Sequence, residues 1–472
     1  MIFSSITFLF YFLPLFLLLY FITPFKNTVL LIASLFFYAW GEAQYVVLML
    51  FSIGINFSFG LLIDKNSQTQ TKIKQLFILS LGVIANLLLL GYFKYFNFIS
   101  GDLLHIELSE PVHLPLGISF FTFQAISYLV DVYRKEAKVE KNIFNLALYI
   151  SMFPQLIAGP IVRFKTVAKQ IHNRLHTLDN ISKGMRIFII GLAQKALIAN
   201  TVAITADEIF ALPESALTTA VAWLGAFCYT FQIYFDFAGY SNMAIGLGLI
   251  MGFTFPKNFN YPYISQSITE FWRRWHMSLS TWFRDYLYIP LGGNRISPFR
   301  TYTNLMLVFL LCGLWHGAAW TFIFLGAYHG LFLMLERFKL SQLLDKLPAI
   351  IRHTYTLIVV VFGWVIFRAE NLTQLQYYSK TLLGLGQGTS VLETIPTFFS
   401  HSLATTLTFA VLFSLPIFNY LKTQFKSTIS NQQSVKTLSF HAIFEIFYLS
   451  IFLLSIVNIA SGSYNPFIYF RF

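Results

Sequence analysis

The sequence has 472 residues, of which 56% are hydrophobic, 18% aromatic and only 11% charged. A soluble globular protein carries roughly a quarter charged residues, so the composition excludes a soluble enzyme and predicts a protein that crosses the bilayer several times. The formal net charge of +12 comes from basic residues in short loops between apolar runs, without a nucleic-acid-binding motif. Loops that set topology and contact anionic lipid are therefore favoured over nucleic-acid binding.

Apolar runs suited to membrane helices recur along the whole chain. They lie near residues 2–22, 28–40, 43–63, 75–93, 114–131, 187–206, 216–236, 303–321, 322–336, 354–370, 402–420 and 441–460. We expect an all-α polytopic membrane protein, a multispan helical bundle with re-entrant and interfacial amphipathic helices around a central cavity. It would form a single membrane-embedded domain over residues 1–472, with a catalytic core at about 114–337.

The distribution of basic residues predicts which loops lie inside. Lys and Arg are frequent in the loops 132–142 and 257–300 and do not occur in the loop 97–113. Because positively charged loops stay in the cytoplasm, the first two loops are predicted to be cytoplasmic and the third to lie outside.

The segment 143–163 differs from the other apolar runs. Basic residues flank it on both sides, and Pro154 and Gly159 interrupt it within the motif FPQLIAGPIVRF. Irregular backbone inside a membrane is tolerated only where protein or a water-filled cavity covers it. The segment is therefore predicted to be re-entrant and to form a cavity wall, with Pro154, Gln155 and Arg163 as its structural residues.

Asp236 lies in the apolar motif YFDFAGYSNMAIGLG, among small residues suited to close helix packing. An ionisable side chain is expensive inside a membrane and is expected to have a partner. The carboxylate is predicted to orient a catalytic group or to pair with an arginine, and we favour structural pairing.

The central stretch from Ser267 to Gly317 combines aromatic, basic and glycine-rich motifs. It begins SITEFWRRWHMSLSTWFRDYLYIPLGGNR, where Ser267 and Glu270 have the spacing of a capping box at the start of a helix. The helix that follows is predicted to place one set of side chains on the same face: Phe271, Trp275, Ser278 and Trp282. Tryptophan and arginine together are typical of the membrane–water boundary, so we expect an interfacial helix.

His316 lies beside Trp315, in the apolar run at the end of this stretch. Placing an ionisable residue in a hydrophobic span is costly, so a functional role is the default interpretation. Neutral imidazole takes a proton from a hydroxyl group and later returns it, which predicts a general base. The alternative is a histidine that hydrogen-bonds between helices, and His329 is interpreted as such a packing or polar-contact residue.

Arg273 and Arg274 are candidates for binding the phosphates of a nucleotide-bearing donor, because guanidinium groups match phosphate geometry. Contact with lipid headgroups is the alternative for either residue alone. The Cys, His and carboxylate residues show no metal-ligand spacing, so no metal is expected. Cys228 and Cys312 lie in apolar segments and are interpreted as small buried hydrophobic residues.

Taken together, these blocks resemble the membrane-bound O-acyltransferase superfamily. The most specific of them are FWRRWHMSLSTWFRDYLYIPLGGNR and GLWHGAAWTF. Four further stretches are similar to its bacterial branch, which acetylates alginate, peptidoglycan and other cell-surface glycans: MIFSSITFLFYFLPLFLLLY, FPQLIAGPIVRF, YFDFAGYSNMAIGLG and NPFIYF. The resemblance covers nearly the whole chain.

The resemblance implies that His316 is catalytic and that His276 is the second catalytic position. It implies acetyl transfer from a cytoplasmic thioester, acetyl-CoA, without a further cofactor, and it places Arg273, Arg274 and Trp315 at the donor. The acceptor would be a hydroxyl of a cell-surface polysaccharide, or a separate extracytoplasmic acetyltransferase or esterase-like protein that completes the transfer. The expected location is the bacterial cytoplasmic (inner) membrane.

Two other classes of protein fit parts of the sequence. A transporter or flippase for an acyl or glycan carrier also needs broken helices and polar groups in the membrane, although the chain shows no duplicated halves. A non-catalytic scaffold for a polymer-export complex is the third interpretation. Acetyl transfer distinguishes the enzyme from both, and a scaffold is insensitive to His316→Ala.

Overall fold

Helices account for the regular secondary structure of the computed structural model, which describes residues 1–69, 71–106, 108–386, 388, 397–417, 435–462 and 464–468. The end of the predicted span 402–420 and the last two residues of the NPFIYF motif lie outside these ranges.

The α-helices in chain order are α1 (Leu13–Ile22), α2 (Lys26–Glu42), α3 (Val46–Thr69), α4 (Lys72–Leu90), α5 (Ile118–Tyr133), α6 (Ile143–Ser151), α7 (Phe153–Leu156), α8 (Phe164–His172), α9 (Leu178–Ala193), α10 (Asn200–Phe210), α11 (Thr219–Ile250), α12 (Ile268–Arg274), α13 (Met277–Phe283), α14 (Pro298–His316), α15 (Trp320–Leu335), α16 (Ser341–Leu344), α17 (Ala349–Arg368), α18 (Leu372–Leu382), α19 (His401–Ser414) and α20 (Val435–Ala460). Turns of π-helix extend or join several of them: Thr7–Phe12, Gly91–Tyr95, Phe98–Leu103, Gln194–Ala199, Arg284–Tyr288 and Glu336–Leu340. Short 3₁₀ turns are Ala43–Tyr45, Glu214–Ala216 and Pro262–Ile264.

Among the described residues, five helical stretches are long and apolar enough to cross a bilayer. They are Lys26–Lys65, Lys72–Tyr95, Leu178–Phe210, Ala349–Arg368 and Ala442–Ala460. Large apolar side chains such as Val47, Ile73 and Leu88 are exposed on the outside of the bundle, as expected for helices surrounded by lipid rather than water. The structure confirms an all-α protein with several membrane spans.

Helix α11 lies at the centre of the bundle and packs against α9, α10 and α17. Its 32 residues span about 48 Å, so it continues well beyond the predicted run 216–236. Glycines bring it close to α9. A Cβ on Gly191 would collide with the carbonyl oxygen of Gly239, and one on Gly246 with that of Gly184. Small residues at such contacts allow membrane helices to approach closely.

The predicted re-entrant segment 143–163 is irregular, and all but its ends are buried. Helix α6 stops, the four-residue α7 follows, and non-helical backbone completes the segment. The Phe153 N–H donates to Ser34 Oγ (3.1 Å), and the Tyr149 hydroxyl donates to the Val162 carbonyl oxygen (2.9 Å). These hydrogen bonds satisfy an N–H group and a carbonyl group that have no partner within the interrupted helix. The prediction of irregular backbone shielded by protein is confirmed.

Candidate active site

Helix α14 carries His316 as its last residue. Ser297 caps the start of the helix, since its Oγ accepts a hydrogen bond from the Arg300 N–H (3.2 Å). Pro298 occupies the first position, where the missing N–H costs nothing. Nineteen helical residues span about 28 Å, so His316 lies about one membrane thickness away from Pro298 at the start of the helix.

Lys94 and Tyr95, which are neighbours on another helix, donate hydrogen bonds to the C-terminal end of α14. The Lys94 ammonium donates to the carbonyl oxygens of Trp315 (2.5 Å) and His316 (3.4 Å). The Tyr95 hydroxyl donates to the Leu314 carbonyl oxygen (2.8 Å). The last carbonyls of a helix lack partners within it and carry the negative end of its dipole. The buried ammonium therefore satisfies these groups and fixes the backbone of His316.

His316 lines a crevice of about 30 Å³, a volume suited to a single water molecule. The other lining residues are Lys94, Leu114, Pro115, Leu116, Gly117, Ile118, Ser119, Phe120, Ile157 and Trp315. The imidazole packs against the rings of Trp315 and Phe367, with centroid distances of 5.0 and 5.3 Å. Its buried Nδ1 has no hydrogen-bond partner among the described residues. A general base needs such an unoccupied ring nitrogen within reach of its substrate.

His276 corrects the prediction of one continuous interfacial helix, because α12 ends before it and α13 begins after it. The residue has a left-handed backbone conformation (φ 42°). Of the four side chains predicted to share one face, Phe271 therefore lies in α12, Ser278 and Trp282 lie in α13, and Trp275 lies in the break between these helices. The predicted cap is confirmed, since the Glu270 N–H donates to Ser267 Oγ (3.0 Å), but the Glu270 carboxylate accepts from the Gln266 N–H (2.9 Å) instead of that of Ser267.

Asn258 holds the His276 ring and fixes its tautomer. The Asn258 Oδ1 accepts hydrogen bonds from the Ser278 N–H (3.2 Å) and the Ser278 hydroxyl (2.9 Å). The His276 Nδ1, 3.1 Å from the same oxygen, must therefore donate. In a neutral ring the lone pair then lies on Nε2, which is buried and has no partner in the described part of the chain.

The Trp315 ring lies close to both histidines. Its centroid lies 5.9 Å from that of His276 and 5.0 Å from that of His316. Both histidines are buried: His276 is 1% exposed and His316 is 8% exposed. The Trp315 Nε1 also lacks a hydrogen-bond partner among the described residues. Three of the predicted residues are thus grouped around one indole, whose N–H group is an available hydrogen-bond donor.

The two predicted donor-binding arginines differ in their surroundings. Arg274 is already bound within the protein, since its Nε donates to the Glu270 carboxylate (2.9 Å) and its guanidinium donates to the Asn260 carbonyl oxygen (3.1 Å). Arg273 is exposed. Neither residue lines the crevice at His316. Their contact with donor phosphates stays a prediction.

Asp236 forms a buried ion pair with Lys195 (2.8 Å). Its Oδ2 also accepts a hydrogen bond from the Ile468 N–H (2.9 Å). Asp236 is thus paired, as favoured from the sequence, but its partner is a lysine and not the predicted arginine. The pair joins the central helix α11 to the helix after α9 and to the C-terminal segment.

The other predicted structural residues also lie outside the crevice. Pro154 is the second residue of α7, and the buried Gln155 donates to the Tyr149 carbonyl oxygen (2.5 Å). Arg163 forms an ion pair with Asp285 (2.6 Å). Burial raises the pKa of the Asp285 carboxyl, but hydrogen bonds from a second arginine and from Arg163 outweigh it and hold the pKa below its usual range. Asp285 therefore stays ionised and ties the re-entrant segment to the turn after α13.

Among the described residues, no group of three or more His, Cys, Asp or Glu side chains has the arrangement of a metal site. Cys228 and Cys312 are buried free thiols, as interpreted from their apolar segments. The polar groups available at the crevice and its indole are those of histidine, tryptophan, serine and lysine.

Comparison with known proteins identifies the family. Residues 32–379 match MBOAT, the membrane-bound O-acyltransferase family. The chain belongs to this family. It is 50% identical over 382 residues to a probable alginate O-acetylase AlgI of Azotobacter vinelandii, covering 79% of this chain and 76% of that protein. It is 40% identical over 427 residues to a peptidoglycan O-acetyltransferase of Helicobacter pylori, covering 82% and 80%. It is 32% identical over 309 residues to a teichoic acid D-alanyltransferase of Bacillus subtilis, covering 62% and 76%.

As a member of the membrane-bound O-acyltransferase family, the protein is an acyltransferase and a multi-pass membrane protein. The match begins within α2 and ends within α18, so it contains both histidines and the predicted catalytic core 114–337. Membership of this family supports an enzyme rather than a transporter or a scaffold.

Three residues around the candidate site were not predicted from the sequence: Lys94, Ser119 and Asn258. Lys94 is the single basic residue of the apolar stretch 75–103, and the cost of burying a charge could have identified it as it identified His316. No local pattern links Asn258 to His276, eighteen residues later in the chain.

Proposed function

We propose that this acyltransferase moves an acetyl group from acetyl-CoA, on the cytoplasmic side, to a hydroxyl group of a bacterial cell-surface polysaccharide. The transfer would be direct or completed by a separate extracytoplasmic protein, in the cytoplasmic (inner) membrane. The arrangement of His276, Trp315 and His316 around one indole supports the proposal. Relatives named as O-acetylating enzymes of alginate and peptidoglycan support a glycan acceptor. No cofactor beyond the donor is proposed.

The surroundings of His316 and of His276 suit different substrates. The crevice at His316 is lined by the segment Leu114–Ile118, which follows the loop 97–113 that is predicted to lie outside. His276 belongs to a stretch that is predicted to be cytoplasmic. We therefore assign the crevice to the acceptor hydroxyl and the His276 side of the indole to the donor thioester.

His316 would act as the general base. Its imidazole takes the proton of the acceptor hydroxyl while the hydroxyl oxygen attacks the thioester carbonyl carbon. The C–S bond then breaks, and the same proton passes to the leaving thiolate, which gives an acetyl ester and CoA. The unpartnered Trp315 Nε1–H is the donor available to stabilise negative charge on the carbonyl oxygen, in an apolar setting where such a bond is strong.

His276 is better suited to positioning the donor than to polarising its carbonyl group. Polarisation needs a proton on the free ring nitrogen, whereas the Asn258 contact leaves a lone pair on Nε2 in the neutral ring. We assign Nε2 to accept a hydrogen bond from an N–H group of the donor's pantetheine arm. The exposed Arg273 would attract the donor's phosphates by its charge, and Arg274, already bound to Glu270, contributes less.

The proposal is tested in cells and with purified protein. Deleting the gene should lower the O-acetyl content of a cell-surface polysaccharide, and the wild-type gene, but not a His316→Gln variant, should restore it. In lipid nanodiscs, the protein should release CoA from acetyl-CoA in the presence of the acceptor and transfer labelled acetyl. Unchanged O-acetylation in the deletion strain, together with no release of CoA above background, would contradict the proposal.

A further inference from the structure

A cavity of about 210 Å³ lies at the turn between α13 and α14, apart from the crevice at His316. It is lined by Arg284, Tyr288, Ile289, Gly292, Gly293, Asn294 and Arg295. Two of these seven residues are cationic and none is acidic. The cavity is large enough for a diphosphate group, and its charge favours an anion.

The two arginines keep a positive charge in the cavity. Arg284 pairs with Asp285 (2.7 Å), but Asp285 also pairs with Arg163 (2.6 Å), so one carboxylate is shared by two guanidinium groups. The Arg284 side chain remains 59% exposed. Arg295 is exposed, and its guanidinium has no hydrogen bond or ion pair with the described residues. The surplus of guanidinium groups over carboxylates favours an anion in the cavity.

The glycine turn gives the cavity a defined shape. Gly292 and Gly293 both have positive φ (99° and 56°), a conformation that side chains with a Cβ rarely adopt. The Asn304 amide holds the turn by donating to the carbonyl oxygens of Leu291 (3.2 Å) and Gly293 (3.0 Å). The cavity is thus bounded by a fixed turn that leaves room beside the arginines.

The cavity lies at the end of α13 that is far from His276. Along α13 and its π-helical extension, Trp282 donates to the Phe123 carbonyl oxygen, and Tyr286 donates to Asp131 (2.6 Å). Phe123 and Asp131 follow one another along α5, so α13 runs in the same direction as α5, towards the loop that is predicted to be cytoplasmic. Arg284 is eight residues beyond His276, about 12 Å along the helix axis.

This distance fits a donor with a pantetheine arm. The extended arm is about as long as four residues of extended chain, roughly 14 Å. A thioester beside Trp315 and His276 would therefore place the first phosphates of CoA near Arg284. A donor without a nucleotide would leave the cavity empty.

We propose that Arg284 and Arg295 bind the phosphate groups of the nucleotide-bearing thioester donor in this cavity. The inference rests on the proposed function, in that the donor is acetyl-CoA. Guanidinium groups bind phosphate through paired, charge-assisted hydrogen bonds, each group contributing about a tenfold gain in affinity or more. An anionic lipid headgroup offers the same phosphate chemistry, and the experiment distinguishes the two sources.

The test compares two donors in nanodiscs of zwitterionic lipid. In an Arg284→Gln/Arg295→Gln variant, the KM for acetyl-CoA should rise at least tenfold with kcat nearly unchanged, whereas the KM for S-acetylpantetheine, which lacks phosphates, should not change. Arg337→Gln, an exposed arginine away from the cavity, is the matched control and should leave both values unchanged. An equal change for both donors, or no change, would overturn the assignment.

Binding of unacetylated CoA gives a readout that does not depend on acetyl transfer. The wild type should bind CoA at least tenfold more tightly than the double variant. If the wild type binds CoA in this way but transfers no acetyl group, the proposed function fails and the phosphate site stands. If the wild type transfers acetyl groups but the double variant binds CoA equally well, the phosphate site fails alone. If the double variant loses retention of phosphatidylglycerol but not of CoA, the cavity is a lipid site and the assignment is wrong.

Discussion

Replacing Lys94 with Met tests whether a buried ammonium group positions the catalytic histidine. Lys94 donates to the Trp315 carbonyl oxygen at 2.5 Å and to Ser119 Oγ at 3.1 Å, with a longer contact to the His316 carbonyl oxygen at 3.4 Å. Two hydrogen bonds from a charged group contribute about 3–6 kcal/mol. Removing the ammonium also removes the cost of burying it, which is several kcal/mol. The two terms nearly cancel, so the thermal stability of Lys94→Met should change little.

Catalysis should respond much more strongly than stability. Without Lys94, the last carbonyls of α14 lose their partner, and the backbone of His316 is free to shift. A displacement of about 1 Å at a catalytic group costs roughly 10²-fold in rate. We therefore expect kcat for acetyl transfer to fall about 10²-fold in Lys94→Met with KM for acetyl-CoA nearly unchanged.

Two further variants complete the test. Lys94→Arg keeps a cationic donor and should recover part of kcat. Tyr95→Phe, the matched control, removes only the hydroxyl bond to the Leu314 carbonyl oxygen and should lower stability by about 1 kcal/mol with little effect on kcat. Rates come from release of CoA, and the melting temperature of each purified variant reports its stability. A folded Lys94→Met variant with normal kcat would refute the positioning role.

Three other predictions follow from the described contacts. Cysteines introduced in the loop 97–113 should react with a membrane-impermeant thiol reagent in intact cells, whereas cysteines introduced in 257–300 should not. The reverse labelling pattern would overturn the predicted topology. Asp236→Asn should lower the free energy of unfolding by about 3–5 kcal/mol, because it leaves Lys195 buried without its counter-charge. An unchanged melting temperature would show that the pair is not structural. His276→Ala should raise KM for acetyl-CoA more than it lowers kcat, and a loss confined to kcat would contradict a donor-positioning role.

Much of the fold could be predicted because lipid constrains the sequence strongly. Apolar runs of sufficient length, the capping residue Ser267 and the interrupted segment 143–163 each have a local signature. The structure confirms the cap and the irregular backbone of the segment, and five helical stretches among the described residues are long and apolar enough to cross a bilayer. The pairing of Asp236 was predictable because a buried carboxylate needs a partner. The identity of that partner was not, since Lys195 comes from a helix 41 residues earlier in the chain.

The internal geometry of the site could not be predicted from local patterns. The break occurs at His276, which adopts a left-handed conformation although it is not glycine, and contacts with Asn258 stabilise it. The bond from Lys94 to Trp315 joins residues 221 positions apart. Such contacts depend on how the helices pack, and helix periodicity carries no information about them.

The central claim is that His316 is the general base of acyl transfer, and His316→Gln tests it most directly. Glutamine keeps the approximate size and the hydrogen bonding of the side chain but cannot take up the proton. We expect kcat for acetyl transfer to fall about 10²–10⁴-fold while the melting temperature stays close to that of the wild type. His329→Gln, which changes a second buried histidine that packs against Trp272 and Tyr328, is the matched control and should keep most of the activity. Near-normal transfer by a folded His316→Gln variant would contradict the account.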